Sequence, residues 1–331
     1  MGRALVTGGA GFIGSHLCES LLGDGWEVFV LDDLSTGSSE NVALLRDRPG
    51  FHLVVESVLS RSVVSELVHK VDVVYHLAAA VGVRLIVERP GETLLTNVRG
   101  TENVLEYASR FGKRVLVASS SEVYGDHTAE NLPLRESARR IYGPTTAKRW
   151  AYAASKAMDE FLALARHEED GLDCVIARLF NTVGPRQQGE YGNVIPRFVQ
   201  AALAGDALEV HGDGTQTRCF CHVSDTVRAL AGLMAEPATS GEIFNVGSTE
   251  SVTIRELAER TIKATDSSSE LVFVPYHEVY EHGIDEMFQR MPAIDKIAEA
   301  IGWQPSHSLD QILGELIAAA RSEAPVPTVR T

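Results

Sequence analysis

Residues 3–14, Arg3-Ala4-Leu5-Val6-Thr7-Gly8-Gly9-Ala10-Gly11-Phe12-Ile13-Gly14, run an apolar strand into a glycine turn, and Leu17, Leu21 and Leu22 follow at helical spacing. A strand-turn-helix of this composition reads as a phosphate-binding first βα unit. Gly8 suits the tight turn, Gly11 lets backbone amides approach a pyrophosphate, and Gly14 lets helix and strand pack closely. The anion then sits on the helix N-terminus, where unpaired N–H groups and the helix dipole favour negative charge. The second strand, 26–31, ends in Asp32-Asp33, about where a dinucleotide fold places the acid that takes the adenosine ribose 2′-hydroxyl. Asp32 is the better placed, since Asp33 also reads as a turn former ahead of Leu34-Ser35-Thr36-Gly37. No arginine follows closely to receive a 2′-phosphate, so the pattern favours NAD over NADP.

Outward from this unit the chain alternates. Apolar, β-rich runs at 51–55, 71–76, 114–118 and 174–178 are separated by helical stretches at 62–68, 100–111 and 151–167. Such βαβ repetition predicts an α/β fold with a doubly wound, mostly parallel sheet of Rossmann type, covered by helices on both faces. After Asn181 the pattern loosens. Helical pieces at 194–204, 224–235, 254–264 and 309–321 alternate with Gly- and Pro-bearing loops and short strands at 208–211, 242–246 and 270–274. The expected layout is an NAD-binding domain over 1–181 with a returning segment near 222–247, and a smaller interleaved α/β substrate lobe from 182–221 and 248–322. A flexible tail over 323–331 completes it.

Composition narrows the class. The chain has 331 residues, 44% of them apolar, enough to bury a large core. No run approaches the roughly 18 apolar residues needed to cross a bilayer, and the glycine turn starts too early to leave room for a secretory signal, so a cytoplasmic location is expected. Cys18, Cys174, Cys219 and Cys221 show no CxxC spacing, which predicts buried thiols and no metal site. A net charge of −15 argues against nucleic acid as a partner, since phosphate backbones require clustered Lys and Arg. An anionic ligand must then be met by a few local arginines.

Chemistry concentrates at two further places. Tyr152-Ala153-Ala154-Ser155-Lys156 opens a helical stretch, and a spacing of four puts Tyr152 and Lys156 on one face. A phenol ordinarily titrates near pH 10, but an adjacent ammonium and a nicotinium cation favour its phenolate, making Tyr152 a candidate base. Ser119-Ser120-Ser121-Glu122 directly follows the strand at 114–118, and strand C-termini face the ligand crevice in a doubly wound sheet. A serine there can hold the hydroxyl that Tyr152 deprotonates.

Taken together, the Thr7–Gly14 turn, Asp32-Asp33, His76-Leu77-Ala78-Ala79, Asn97, Ser119–Gly125, Tyr152 with Lys156, Arg178–Asn181, Gly184-Pro185-Arg186, Gly212-Asp213-Gly214, Arg218, His222–Asp225 and Phe244–Gly247 resemble the extended short-chain dehydrogenase/reductase family, in its nucleotide-sugar branch of epimerases, dehydratases and decarboxylases. The resemblance runs through nearly the whole chain. It implies a tightly bound NAD, held by Gly8, Gly11, Phe12, Ile13, Gly14, Asp32, Asp33, Leu77, Ala78, Ala79, Asn97, Tyr152 and Lys156. Ser57-Val58 stands where an acidic residue near the adenine is more usual. It also implies that Tyr152 removes the sugar 4-hydroxyl proton, with Ser120 sharing that hydrogen bond, Ser121 beside them, and Lys156 on the nicotinamide ribose. On the substrate side it implies contacts from Ser120, Ser121, Glu122, Tyr152, Asn181, Thr182, Arg186, Asn193, Val194, Arg218 and Arg290. Asn181, Arg218 and Arg290 are expected on the nucleotide diphosphate. Members of the family usually dimerise through the helices here near 100–111 and 151–167, and the apolar stripe Val104, Leu105 and Ala108 with Phe161, Leu162 and Ala165 suits such a bundle and equally suits ordinary core packing.

The reaction is the finer question. A 4,6-dehydratase of the family carries Thr-Asp-Glu where this chain has Ser120-Ser121-Glu122, and without the Asp general acid dehydration is disfavoured. Ser-Glu here, with Gly143-Pro144 and Arg149–Tyr152, resembles enzymes acting on UDP-glucuronate. The loop Gln187–Asn193 offers amides and a tyrosine but no further cation, so a uronate carboxylate would rely on Ser121, Thr182, backbone amides or Arg186. The wording Asn181–Gln187 is close to bacterial 4-epimerases. The expectation is therefore an isomerase, a homodimeric NAD-dependent 4-epimerase of a UDP-sugar, with UDP-glucuronate to UDP-galacturonate ahead of UDP-glucose. UDP-glucuronate decarboxylation stands second. A non-enzymatic dinucleotide sensor is disfavoured because Ser120, Tyr152 and Lys156 are all present.

Overall fold

The computed structural model describes residues 2–81, 88–148, 150–187, 193–275, 278 and 289–323. The stretch 324–331, read as tail, and Gln188–Gly192 and Arg149 lie outside them. Strands β1 (Arg3–Thr7), β2 (Glu27–Asp32), β3 (Phe51–Val55), β4 (Val73–His76), β5 (Arg114–Ser120) and β6 (Cys174–Leu179) alternate with helices α1 (Phe12–Gly23), α2 (Arg61–Lys70), α3 (Pro90–Phe111) and α4 (Trp150–Asp170). Beyond β6 come β7 (Thr182–Val183), α5 (Val194–Ala204), β8 (Leu208–His211), β9 (Thr217–Cys219), β10 (Cys221–His222), α6 (Val223–Ala235) and β11 (Glu242–Val246). The chain closes with β12 (Ser251–Thr253), α7 (Ile254–Thr265), β13 (Leu271–Val274), α8 (Asp295–Ile301) and α9 (Leu309–Glu323).

Among the described residues the main sheet has seven strands in the order β11-β6-β5-β4-β1-β2-β3. Every pairing in it is parallel. The order reverses between β1 and β4, and that switch point opens the crevice at the strand C-termini. The strands' near-continuous apolar sequences follow from burial on both faces. Successive side chains point to opposite faces. Ala4 and Val6 of β1, with Val28 and Val30 of β2, pack on Leu17 and Leu21 of α1 and Leu230 of α6. Leu5 and Leu31 join Val64 of α2 and Val104 and Leu105 of α3 on the other side. A further core, of Phe198, Val199, Leu257, Ile312 and Leu313, binds α5, α7 and α9 into the smaller lobe.

Helix α3 starts at Pro90, ten residues before the expected stretch. Its buried positions there are Thr93, Asn97, Gly100 and Thr101, so the apolar period that announces a helix is missing although the buried face is continuous. Pro90 suits the first helical position, where no N–H partner is needed. Val104, Leu105 and Ala108, which suited either a subunit interface or ordinary core packing, are buried inside the chain. All four cysteines are buried free thiols. Among the described residues no helix is long and apolar enough to cross a membrane.

Candidate active site

The glycine turn is built to leave room. Gly8 has φ +72°, and a Cβ there would come within 2.8 Å of the Ala78 amide. A Cβ on Gly14 would run into the Gly8 carbonyl. The turn, the start of α1 and the exit from β4 therefore interlock through backbone alone, leaving the α1 N-terminus open to an anion. At the end of β2, Asp32 is nearly buried and accepts the Ala10 amide at 2.9 Å and the Leu34 amide at 2.9 Å. Burial pushes its carboxyl up, and those amides pull the other way. Asp33 closes a turn by accepting the exposed Ser35 amide at 3.0 Å. Val58 is buried, and its carbonyl accepts Asn103 Nδ2 at 3.1 Å. Glu56, one residue before Ser57, accepts the Ser57 amide on Oε1 at 2.8 Å.

Ala78 donates its amide to Thr7 Oγ1 at 3.2 Å, and Leu77 donates to the Thr7 carbonyl at 3.1 Å, so the β4 exit is fastened to β1. Asn97 accepts the Ala80 amide at 2.7 Å and donates to Ser155 Oγ at 3.0 Å. The same side chain thus ties the loop after β4 to the helix that carries Tyr152 and Lys156.

At the end of β5, Ser120 Oγ caps a short 3₁₀ turn (Ser121–Tyr124) by accepting the Glu122 amide at 3.2 Å, and the same hydroxyl neighbours the Tyr152 phenol. Burial and the neighbouring Glu122 carboxylate raise the phenol well above its ordinary value, while Ser120 lowers it. Lys156 is buried and pairs with Asp159, one turn on, at 3.0 Å. Burial raises the Asp159 carboxyl, whereas Lys156 and Thr101 stabilise its charge. Behind them His76 bonds Thr7 Oγ1 at 2.7 Å and Thr101 Oγ1 at 3.0 Å. Burial, then the Lys156 charge, lowers its imidazole to about 3, so it stays neutral.

Glu160, four residues after Lys156, anchors the helix to the sheet. Ser119 Oγ donates to its Oε1 at 2.6 Å, and Arg178 grips both oxygens at 2.8 Å each. Arg140 adds a third cationic contact at 2.6 Å. Burial alone would raise this carboxyl, but Arg178, Ser119 and Arg140 hold it below the usual carboxylate range. The i+4 spacing from Lys156 could have flagged Glu160, whereas nothing in the sequence pairs it with Arg178.

Arg290 arrives from far along the chain. Its Nη1 lies 2.8 Å from Glu122 Oε1 and 3.5 Å from Ser121 Oγ. Ser120, Ser121, Glu122, Tyr152 and Arg290 therefore meet in one place. Other residues expected on the substrate are bonded elsewhere. Arg186 is held by α1, donating to Glu19 at 2.7 Å and Ser15 Oγ at 3.3 Å. Thr182 Oγ1 pairs with Thr226 Oγ1 at 3.1 Å. Asn181, at φ 23°, donates to the Cys219 carbonyl at 3.3 Å, and Arg218 donates to the Thr217 carbonyl at 2.8 Å. Asn193 precedes α5, which Val194 begins.

Comparison with known proteins gives the chain's family and corrects one expectation. The chain is 44% identical over 317 residues to a UDP-N-acetyl-alpha-D-glucosaminuronate decarboxylase of Bacillus cytotoxicus, covering 95% of this chain and 96% of that one. It is 37% identical to UDP-glucuronic acid decarboxylase 1 of Arabidopsis thaliana, over 97% of this chain and 70% of the relative. A UDP-glucuronic acid 4-epimerase mutant of Bacillus cereus, solved with NAD and UDP-4-deoxy-4-fluoro-glucuronic acid, superposes with TM-score 0.87 at 27% identity, over 97% of this chain and 99% of that one. The isomerase read from the sequence is overturned by the decarboxylase names of these relatives. That reading rested on the wording of Asn181–Gln187, which is close to bacterial 4-epimerases. Arg290, expected on the diphosphate, has its guanidinium against Ser121 and Glu122. Residues 4–247 match the model of the NAD dependent epimerase/dehydratase family, and the chain belongs to that family.

Proposed function

We propose that this chain is an NAD-dependent decarboxylase of a UDP-hexuronate. The observation that carries the reading is the placement of Arg290 against Glu122 and Ser121, next to the Ser120–Tyr152 pair. One side of this site can handle the proton of a hydroxyl, and the other can orient a carboxylate. The identity to decarboxylases of two UDP-uronates supports the same assignment.

The residues around the glycine turn fit a dinucleotide: a backbone cradle with no space for Cβ atoms at Gly8 and Gly14, an open helix N-terminus, and a buried acid at Asp32. Bound there, NAD would supply the acceptor and later the donor of two electrons at the sugar's carbon 4, and its positive charge would favour the Tyr152 phenolate. Tyr152, as phenolate, takes the proton of the 4-hydroxyl while Ser120 holds the oxygen. The product is a 4-keto uronate, whose carboxylate is β to the ketone. The bond from carbon 5 to the carboxyl carbon breaks, carbon dioxide leaves, and the electron pair moves onto the carbon 4 oxygen. Ser120 and the now protonated Tyr152 donate to that enolate oxygen, where charge develops.

Arg290 orients the departing carboxylate so that the breaking bond stands across the ketone plane. A free guanidinium would hold the carboxylate charge tightly and oppose its loss. Paired to Glu122 at 2.8 Å, Arg290 offers direction with less net attraction, which favours the transition state over the ground state. A proton taken up from solvent then replaces carbon dioxide at carbon 5. Return of the electrons to carbon 4, with Tyr152 giving back its proton, completes a UDP-pentose.

Incubation with UDP-glucuronate, and separately with its 2-acetamido counterpart, tests the assignment by trapping labelled carbon dioxide and identifying the sugar by NMR. Release of carbon dioxide with a UDP-pentose is expected from at least one of them. Recovery of a six-carbon uronate from both, without gas, would overturn it.

A further inference from the structure

The segment that presents Arg290 is fastened to the sheet by a small set of buried contacts. Leu134 and Pro292 form an isolated parallel bridge, in which the Leu134 amide donates to the Met291 carbonyl at 2.8 Å and the Ala293 amide donates to the Leu134 carbonyl at 2.9 Å. Asn245, fully buried in β11, closes this bridge from behind. Its Nδ2 donates to the Leu134 carbonyl at 2.8 Å and to the Ala293 carbonyl at 3.1 Å. Its Oδ1 accepts the Tyr124 hydroxyl at 2.6 Å, and its own amide donates to Glu136 Oε1 at 2.9 Å. Two facing carbonyls and one hydroxyl donor fix which end of the amide points where.

From Asn245 the contacts run back to the catalytic frame. Tyr124 ends the 3₁₀ turn that holds Ser121 and Glu122, and the Arg178 guanidinium lies 4.7 Å from the centre of its ring. Arg178 in turn grips Glu160, one turn beyond Lys156. Asn245 and Arg178 are also register partners across β11 and β6. A single buried network therefore joins the helix carrying Tyr152 and Lys156 to the strand end carrying Ser120 and to the segment carrying Arg290.

We propose that Asn245 is a positioning residue for Arg290, which fixes the guanidinium over the substrate carboxylate and so couples oxidation at carbon 4 to loss of carbon dioxide. This role rests on the decarboxylase reading above. Oxidation uses groups on β5 and α4, which are held by the sheet pairing and by Arg178 and Glu160, and which reach the bridge to Leu134 only through Tyr124. Carbon–carbon cleavage uses Arg290, whose placement depends on that bridge. Losing the amide donors should consequently damage the second step far more than the first.

The experiment compares the unsubstituted enzyme with Asn245→Ser on the UDP-hexuronate it turns over. Reduction of bound NAD in a single turnover and release of carbon dioxide from a carboxyl-labelled sugar are read in parallel. The variant is expected to reduce its NAD within about threefold of the unsubstituted rate, but to release carbon dioxide roughly tenfold to a hundredfold more slowly, as misplacement by about an ångström produces. Reduced cofactor then accumulates. Tyr124→Phe, which removes only the hydroxyl donor to Asn245, is expected to show the same split more weakly, and it decides the matter if Asn245→Ser does not fold. A parallel fall of both signals, or carbon dioxide release equal to the unsubstituted enzyme, would overturn the role of Asn245 alone. No carbon dioxide from the unsubstituted enzyme on either uronate would overturn the decarboxylase reading and this role with it.

Discussion

Tyr152 sits where influences of opposite sign compete, and those signs give two predictions. Burial and the Glu122 charge raise its phenol, and the neighbouring Ser120 hydroxyl lowers it. Tyr152→Phe removes the only proton acceptor proposed for the 4-hydroxyl, so NAD reduction on adding substrate should fall by about 10²–10⁴-fold, with the thermal midpoint little changed. Retained reduction would remove Tyr152 from the chemistry. Glu122→Gln deletes a negative charge that disfavours the phenolate, so the acidic limb of the pH–rate profile for NAD reduction should move to lower pH. A limb that stays, or moves upward, would show that Glu122 does not act on the phenol. Ser120, Tyr152 and Lys156 could be singled out from the sequence only together with the glycine turn, and a strand end and a helix turn place them locally. The site of Arg290 was not legible there, since its partner Glu122 lies 168 residues earlier and only the fold brings them together.

At the level of elements, the first turn is the part whose sequence most constrains its structure. A methyl group on Gly14 would meet the Gly8 carbonyl and the Gly9 Cα, both backbone, so nothing flexible can yield. Gly14→Ala should cost about 1–3 kcal/mol from overpacking and weaken NAD retention, seen as a lower thermal midpoint and an apo fraction after gel filtration. A variant that keeps both its cofactor and its midpoint would show the turn to be softer than the packing implies. The other elements divided by how they are buried. Strands with apolar residues on both faces, and helices with apolar stripes, announced themselves. The first turns of α3 did not, because Thr93 and Asn97 occupy the buried face, and the three-residue strands β9 and β12 pair across a gap no local pattern records.

Across the whole molecule, the crevice depends on holding the returning helix α6 against the chain near its C-terminal helix, and Asp225 is the chief fastener. Its carboxylate, almost fully buried, accepts Ser306 Oγ at 2.6 Å, the Ser306 amide at 2.9 Å, the His307 amide at 3.1 Å and His307 Nδ1 at 2.9 Å. The Asp225 carbonyl also takes Trp303 Nε1 at 2.9 Å, and the His307 ring packs on His222 at 4.3 Å. Burial by itself would raise this carboxyl, but the Ser306 and His307 donors outweigh it and bring it from an ordinary 3.8 down to about 2. A folded-state value below the unfolded one means stability that is present above pH 4 and lost as pH falls towards 2. The contribution is on the order of 2 kcal/mol at neutral pH. Asp225→Asn should therefore lower the thermal midpoint at pH 7 by a few degrees, and the gap should shrink as both proteins are measured at pH 4, 3 and then 2.5. A gap that stays constant across that range would mean that the contacts matter but the charge does not. The sequence marked His222–Asp225 as a motif, yet the partners that make it a fastener, Ser306 and His307, lie about eighty residues on in a stretch with no pattern of its own.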